Sequence, residues 1–311
     1  MHGRLCESVL PGQVLESQPL IGIWASLADM PTARGEVAAA VAGGKVYVMG
    51  GFGAGATANE EYDPATNTWQ KRAPIPRGVD HPAAVGLKGQ IYLVGGLDGR
   101  WGPVGNVWAY DPEADSWTAK SPLPTARGAL AAVALGGKIY AIGGRDAVQD
   151  LGANEVYDPA MDSWQSLKDL PTARDHLAAA AVGERIYATG GRLTSYARNL
   201  PINEEYDPDP DEWTKRAPLP TARSGIGAAA VQGRIYVFGG EAIEGTFDEN
   251  EAYDPSSDQW EPAPALPTAR HGIGVVSLGN RIYVLAGRLT PGGSGSALNE
   301  VFIVLSEAGS D

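Results

Sequence analysis

The chain of 311 residues holds one cysteine, Cys6, so it can form no internal disulfide and no cysteine-based metal cluster. It contains no apolar run of about 18 residues, so no segment reads as a membrane-spanning helix. The N-terminal stretch MHGRLCESVLPGQVLESQPL carries Glu7 and Pro11 where a signal peptide needs apolar residues. Basic side chains are few: 24 Lys and Arg stand against 37 Asp and Glu, a formal net charge of −13. That balance argues against nonspecific attachment to nucleic acid or an anionic membrane. Motifs that carry nucleotide, metalloprotease or hydrolase chemistry (GxxxxGK[ST], GxGxxG between strand and helix, HExxH, GxSxG) are also missing. No helical period separates the apolar segments, which argues against a parallel βαβ fold. The expectation from these absences is a soluble, cytoplasmic monomer with neither a nucleic-acid nor a membrane partner.

What the chain has in abundance is glycine, 41 residues, and proline, 23, which suits many short strands joined by turns. Six tryptophans each stand seven residues before a proline: Trp24, Trp69, Trp117, Trp164, Trp213 and Trp260. The steps between them are 45, 48, 47, 49 and 47 residues, a period that marks a repeat architecture. Each unit holds four strand signals. A small-residue run such as AAAV leads through a glycine turn to an alternating run such as KVYVMGG or GRIYVFGG. A variable loop precedes NEEYD or NEVYD, and a DPxxxxW turn leads into the tryptophan strand. The Asp-Pro pairs are turn chemistry and not catalytic acids.

Gly-Gly after the second strand, Tyr-Asp-Pro at the third and Trp in the fourth together resemble the kelch repeat, over roughly residues 22–304. The resemblance implies one four-stranded blade per repeat, hence an all-β, six-bladed β-propeller with antiparallel strands. The chain starts with only a fourth strand, around Trp24, and ends after a third, around Asn299–Ile303. The N-terminal strand is therefore expected to complete the last blade and hide two sheet edges. The division expected is an N-terminal tail over 1–21, the propeller over 22–306 and a C-terminal tail over 307–311. Adaptor proteins of this family carry further domains such as BTB, for which the flanks leave no room, and this tilts the expectation toward a stand-alone role.

Strand direction puts the PTAR segments and the loops after Gly-Gly on one face. Those loops are long and dissimilar (FGAGATA, LDGRWGPVG, RDAVQDLGA, RLTSYARNLPI, EAIEGTFDE, RLTPGGSGSA), whereas the opposite face has tight, repetitive turns. Variable loops on a rigid scaffold are where binding sits.

Arg34, Arg127, Arg174, Arg223 and Arg270 share one repeat position, and Glu60, Glu155, Glu204, Glu251 and Glu300 share another. In kelch adaptor domains the matching arginine helps bind acidic peptides. Blade two lacks both residues, with Val79 and Trp108 in their places, and the joint loss points to an Arg–Glu pair inside each other blade. For Arg174 the expected partner is Glu155. Arg145 and Arg192 directly follow Gly-Gly, Arg288 follows the equivalent Ala286-Gly287, and none has a repeated acid to match it, while Glu241 holds that place in blade five. They are candidate contacts for an anionic or polar ligand, with Trp101 and Tyr196 on adjoining loops as pocket walls.

Apart from His2 in the tail, the only histidines are His81, His176 and His271, at the starts of first strands in blades two, four and six. First strands line the axis, so the three should ring one mouth at roughly threefold spacing. Register divides the neighbours into two layers, one of Asp80, Asp175, Ser224 and His271, the other of His81, His176 and Glu36. The second has the two-histidine, one-carboxylate composition of several non-haem iron sites. His81 and His176 also stand where the galactose oxidase family, similarly built of kelch-like blades, has a copper-binding histidine. That family's cysteine-linked tyrosine cannot exist here, and Asp80 and Asp175 occupy its place, so radical copper chemistry is not expected.

Two function classes follow. One is a propeller that binds a small polar or anionic ligand, a small molecule or a peptide, at the loop-face mouth lined by His81, His176 and His271. The other is an enzyme at the same mouth, with His81, His176, His271, Asp80 and Asp175 as catalytic groups. It would be either a metal-dependent oxidase or lyase, using one zinc, iron or copper ion on His81, His176, His271 and Glu36, or a metal-free sugar mutarotase of the sialic-acid epimerase type. Hydrogen bonding to loops or water is the remaining role for the histidines. The fold does not choose among these.

Overall fold

The structure is a computed structural model that describes residues 22–305. The tails expected over 1–21 and 307–311, with His2 and Cys6, lie outside the described residues. Six four-stranded antiparallel sheets form the blades. The first blade runs Ala38–Ala42, Lys45–Met49, Asn59–Asp63 and Thr68–Lys71. The others begin with first strands at Ala83–Leu87, Ala131–Leu135, Ala178–Val182, Gly227–Val231 and Gly274–Leu278. Among the described residues the helical content is a single turn of 3-10 helix, Gly53–Gly55, and no helix is long and apolar enough to cross a membrane.

The last blade is closed as the sequence suggests. Gly22–Ser26 pairs antiparallel with Asn299–Val304, with Gly22 opposite Val304, Trp24 opposite Phe302 and Ser26 opposite Glu300. The Trp24 ring packs 5.1 Å from that of Phe302, and its Nε1 donates to Pro264 O at 3.0 Å.

The apolar core lies in the seams between blades. Ala38, Ala40 and Ala42 of blade one share a cluster with Ile91 and Leu93 of blade two. Fully burying a residue such as Ile91 is worth about 1.5–3 kcal/mol. First strands are built mostly of small residues, alanine above all, because six of them converge on the axis. Ala39 and Val41, with their counterparts, line an axial cavity of about 290 Å³. At Gly86 even a methyl group is too much, since a Cβ would come within 2.0 Å of Val41 O.

At the periphery five blades are fastened to the one before them twice, and the closing blade once, through Trp24. The Trp69 indole donates to Ala28 O at 2.7 Å, Trp117 to Ala73 O at 2.9 Å, and the others follow the same rule. In the outer hairpins Asn67, Asp115, Asp162, Asp211 and Asp258 adopt left-handed φ of 47° to 54°. Asp115 Oδ1 accepts both the Tyr110 hydroxyl at 2.6 Å and the Ala73 backbone N–H at 2.8 Å. The hairpin that starts at Asp-Pro is thus also an interblade fastener, a role that its local turn chemistry does not reveal.

Candidate functional site

The PTAR arginines set the mouth. Arg174 is fully buried and makes four hydrogen bonds: Nε to Gly190 O at 2.7 Å, Nη1 to Thr172 O at 2.9 Å and Glu204 Oε2 at 2.6 Å, and Nη2 to Ala188 O at 2.9 Å. Arg34–Glu60, Arg127–Glu155, Arg223–Glu251 and Arg270–Glu300 repeat the arrangement. The expected pairing of Arg174 with Glu155 is corrected to Glu204. The chain enters each blade at its arginine, so the partner follows it in sequence, and Glu155 belongs to Arg127. Each arginine pins its segment to the Gly-Gly strand and fixes where the next two residues point.

Those next residues form stacked tiers around the axis. In the inner tier Glu36, His81, Ala129, His176, Gly225 and Gly272 all have φ between 51° and 67°. Each donates its backbone N–H to the carbonyl of its counterpart in the preceding blade, at 2.7 to 3.0 Å, and Glu36 N–H to Gly272 O closes the circle. This cyclic ladder costs left-handed strain at four non-glycine positions. Above it stand Gly35, Asp80, Gly128, Asp175, Ser224 and His271. The last five bridge to the first residue after the second strand's turn, Leu97, Arg145, Arg192, Glu241 and Arg288. The left-handed turn, not strand alternation, separates the tiers, so the two layers read from register both exist, one above the other.

The inner tier brings Glu36, His81 and His176 together, with one donor atom from each inside a 4.8 Å span. The His81 and His176 rings lie 4.9 Å apart, centroid to centroid. His271 departs from threefold spacing because it stands one residue earlier in its blade and so one tier higher. Its Nδ1 is 3.4 Å from both Glu36 Oε1 and Glu241 Oε2. His81 Nδ1 meets Asp80 Oδ1 at 2.6 Å, and its Nε2 faces Glu36 Oε2 at 3.4 Å. His176 Nδ1 meets Asp175 Oδ1 at 2.7 Å.

Arg192 sits in the middle of this group, almost fully buried. It donates from Nε to Asp175 Oδ1 at 3.0 Å, from Nη1 to Glu241 Oε1 at 2.6 Å and from Nη2 to His176 Nε2 at 2.9 Å. Arginine cannot accept, so His176 Nε2 is the acceptor and the imidazole proton lies on Nδ1, toward Asp175. Burial first and Arg192 second push the His176 pKa down to about 4, against the pull of Asp175, so the ring is neutral at pH 7. Burial opposes the charge of Asp175, but His176 and Arg192 hold its carboxyl below the ordinary range. Burial likewise opposes ionisation of Glu36, yet His81 and then His271 keep it well below that range. His271 moves the other way: burial disfavours its charge, and Glu36 and Glu241 more than offset this.

A metal ion on this set does not fit the donors as they stand. Both His176 nitrogens are engaged, one by a carboxylate and the other by a guanidinium that cannot give up its proton. Glu36 and His81 keep inward-facing donor atoms, and His271 Nδ1 lies between two carboxylates in the tier above.

The remaining candidates gather on the rim. Trp101, 55% exposed, lies 5.6 Å from both the His81 and the Phe52 rings. The Arg288 guanidinium stacks 4.5 Å over Phe52, and Gly35 leaves room for its stem, since a Cβ there would meet Arg288 Cγ at 2.5 Å. Arg192 lies 5.9 Å below the half-exposed Tyr196 ring. Arg145 reaches to 3.8 Å from Asp175 Oδ2. Glu241 is buried as the acceptor for Arg192 and is not a rim charge.

Asp150 joins the site without any signal in the sequence, because nothing repeats at its position. Its Oδ2 accepts from the Thr194 backbone N–H at 2.8 Å and its hydroxyl at 3.3 Å. Burial and the adjacent Asp175 raise its pKa to about 6. The cyclic backbone ladder was also missed, although glycine at two of its six positions was a readable sign of left-handed backbone.

Residues 129–307 match the family described as the KLHDC2/KLHL20/DRC7 Kelch-repeats domain, and residues 33–76 and 80–124 match the Kelch motif. No curated protein matches the chain. Among solved structures, one titled "Structure of YjhT" is 17% identical, covering 91% of this chain and 98% of that one, with a TM-score of 0.79. At that identity the likeness speaks to the fold alone.

Proposed function

The chain belongs to the kelch-repeat family, and from that premise we propose that its loop-face mouth binds a small polar ligand bearing a negatively charged group. One observation carries the reading. Buried polar atoms without a hydrogen-bond partner collect around this mouth: Ser224 Oγ and Arg288 Nε are left for a ligand, while Asp175 Oδ2 lies beside Asp150 and 3.8 Å from Arg145. Native structures leave few such groups, and a cluster of them calls for something to satisfy it. Arg145 and Arg288 keep guanidinium donors for an anionic group, while Trp101 and Tyr196 offer aromatic faces for its apolar side. Arg192 acts from beneath as part of the floor.

The test is a thermal-shift and calorimetric screen of hydroxy acids, sugar acids and their neutral counterparts, followed by NMR of the histidine and indole groups. A hit should move the His81, His271 and Trp101 signals. Trp101→Ala and Arg288→Gln should each weaken it roughly tenfold, the order expected for a partly desolvated aromatic or charged contact. A hit that leaves those signals and affinities unchanged would place binding elsewhere and sink the reading.

A second reading, acid–base catalysis at the same mouth in the manner of a sugar mutarotase, draws on Glu36. Its ionised carboxylate lies 3.4 Å from each of two imidazoles, His81 and His271, so base and acid stand side by side. NMR exchange between the anomers of bound sugars, faster with wild type than with His81→Ala, would support it. Equal rates with the two proteins would dismiss it. The metal-dependent version gains nothing from the donor set as it stands.

A further inference from the structure

Glu36, His81 and His176 have the parts of a metal centre arranged in depth. The donor set is two imidazoles and one carboxylate, the composition that holds divalent transition ions in facial sites. Each imidazole also has its outer partner. Asp80 takes the Nδ1–H of His81 and Asp175 that of His176, at 2.6 and 2.7 Å. Carboxylates in that place fix the tautomer and turn Nε2 inward as a ligand.

The group is nonetheless closed to a metal by a single side chain. Arg192 enters from the rim, places Nη2 on the His176 lone pair, and spreads its charge over Asp175 and Glu241. A divalent ion bonded to His176 Nε2 would have to share that atom with a permanent cation 2.9 Å away, in a buried setting where like charges are costly.

We infer that Arg192 is the built-in cation of a masked metal centre, and that removing its guanidinium uncovers a two-histidine, one-carboxylate site for a divalent transition ion. Loss of Arg192 frees His176 Nε2. It also leaves Asp175 with only the more distant Arg145, and Glu241 with only His271, so the vacated space favours a cation. Glu36 and the inward Nε2 atoms of His81 and His176 are the ligands, while Asp80 and Asp175 remain behind the imidazoles.

The experiment titrates purified full-length protein with Co2+ and Zn2+ against a chromophoric chelator, alongside elemental analysis and visible spectra of the Co2+ form. Wild type should hold no stoichiometric metal. Arg192→Ala should bind one ion about 10- to 100-fold more tightly than wild type, the scale on which groups next to the ligands tune metal affinity. The Arg192→Ala/His81→Ala and Arg192→Ala/Glu36→Gln double variants should lose that binding. Arg192→Gln serves if the alanine variant does not fold. In wild type, nitrogen NMR of His176 gives a check that needs no variant: the Nδ1–H tautomer, unmoved by added Zn2+. Stoichiometric metal on wild type, a His176 proton on Nε2, or binding by Arg192→Ala that survives loss of His81 would each overturn the inference.

Discussion

Replacing Arg174 by valine is the most demanding test of how the blades are held in register. The change removes four hydrogen bonds of 2.6 to 2.9 Å and leaves the Glu204 carboxylate, 3% exposed, without its counter-charge. Breaking one side of a buried ion pair costs about 3–5 kcal/mol, chiefly because the surviving charge cannot regain water. At about 2–4 °C per kcal/mol for a domain of this size class, Tm should fall by roughly 6–20 °C. Blade two supplies its own control, since Val79 and Trp108 stand where the other blades have arginine and glutamate. The double variant Arg174→Val/Glu204→Trp leaves no lone buried charge. It should therefore lose less than the sum of its two single variants, with a coupling of about 2 kcal/mol or more. Urea unfolding followed by circular dichroism on all four proteins of the cycle measures this. A single valine variant within about 0.5 kcal/mol of wild type, or strict additivity, would refute the register role.

Three further outcomes are expected. Deleting residues 1–27 strips the edge of Asn299–Val304 and removes the Trp24–Phe302 contact; light scattering should detect concentration-dependent association and calorimetry a lower Tm, and a monomer of undiminished heat stability would contradict the closure. The His176 pKa is depressed in the folded state, so its contribution is present above pH 6.5 and lost as pH falls toward about 4; denaturation across that window should show a shallower acid slope for His176→Gln, by about 3 kcal/mol in total, and identical slopes would contradict a buried neutral ring. Asp150 has the opposite sign, its raised pKa giving a contribution that is present below pH 3.8 and lost as pH rises through about 6; Asp150→Asn should therefore gain on wild type in chemical denaturation as pH rises from 4 to 7, and a constant difference would show that the Asp175 contact is not felt.

The repeat and its closure could be read from the sequence because each blade must satisfy the same demands. An axial strand needs small residues, the second strand must end in left-handed backbone, usually glycine, and the outer strand needs an indole that reaches the neighbouring blade. Such demands recur with a period, and period is visible in one chain. The Arg–Glu pair was readable for the same reason, through its joint absence from blade two. Which glutamate served Arg174 was not readable from loss alone, because that pairs positions and leaves the blade open. The mouth was partly legible. His81, His176 and Glu36 stood out as departures from the repeat, and they meet. The work of Arg192 could not be seen, since its acceptors come from different blades, Asp175 at a position that is acidic in only one other blade, at Asp80, and Glu241 at one where no other blade has an acid. The same holds for Asp150. The order of tiers was hidden by backbone conformation: left-handed φ at Glu36, His81 and His176 ends the alternation on which a strand-based register depends.

The pairing of Gly22 with Val304 has a practical side. A third strand runs away from the mouth and a fourth runs back toward it, so Asn299–Val304 finishes, and Gly22–Ser26 starts, on the far face. Entry and exit of the propeller are therefore next-door neighbours at the outer rim, on the side remote from Arg192 and the histidines. A tether or solid support joined next to Gly22 or Val304 would hold the molecule with its charged mouth turned outward. Joining Val304 to Gly22 by a short linker and cutting at a tight turn such as Gly43-Gly44 would give a permuted chain in which every mouth contact is kept, because those contacts depend on the circle and not on where it is first entered.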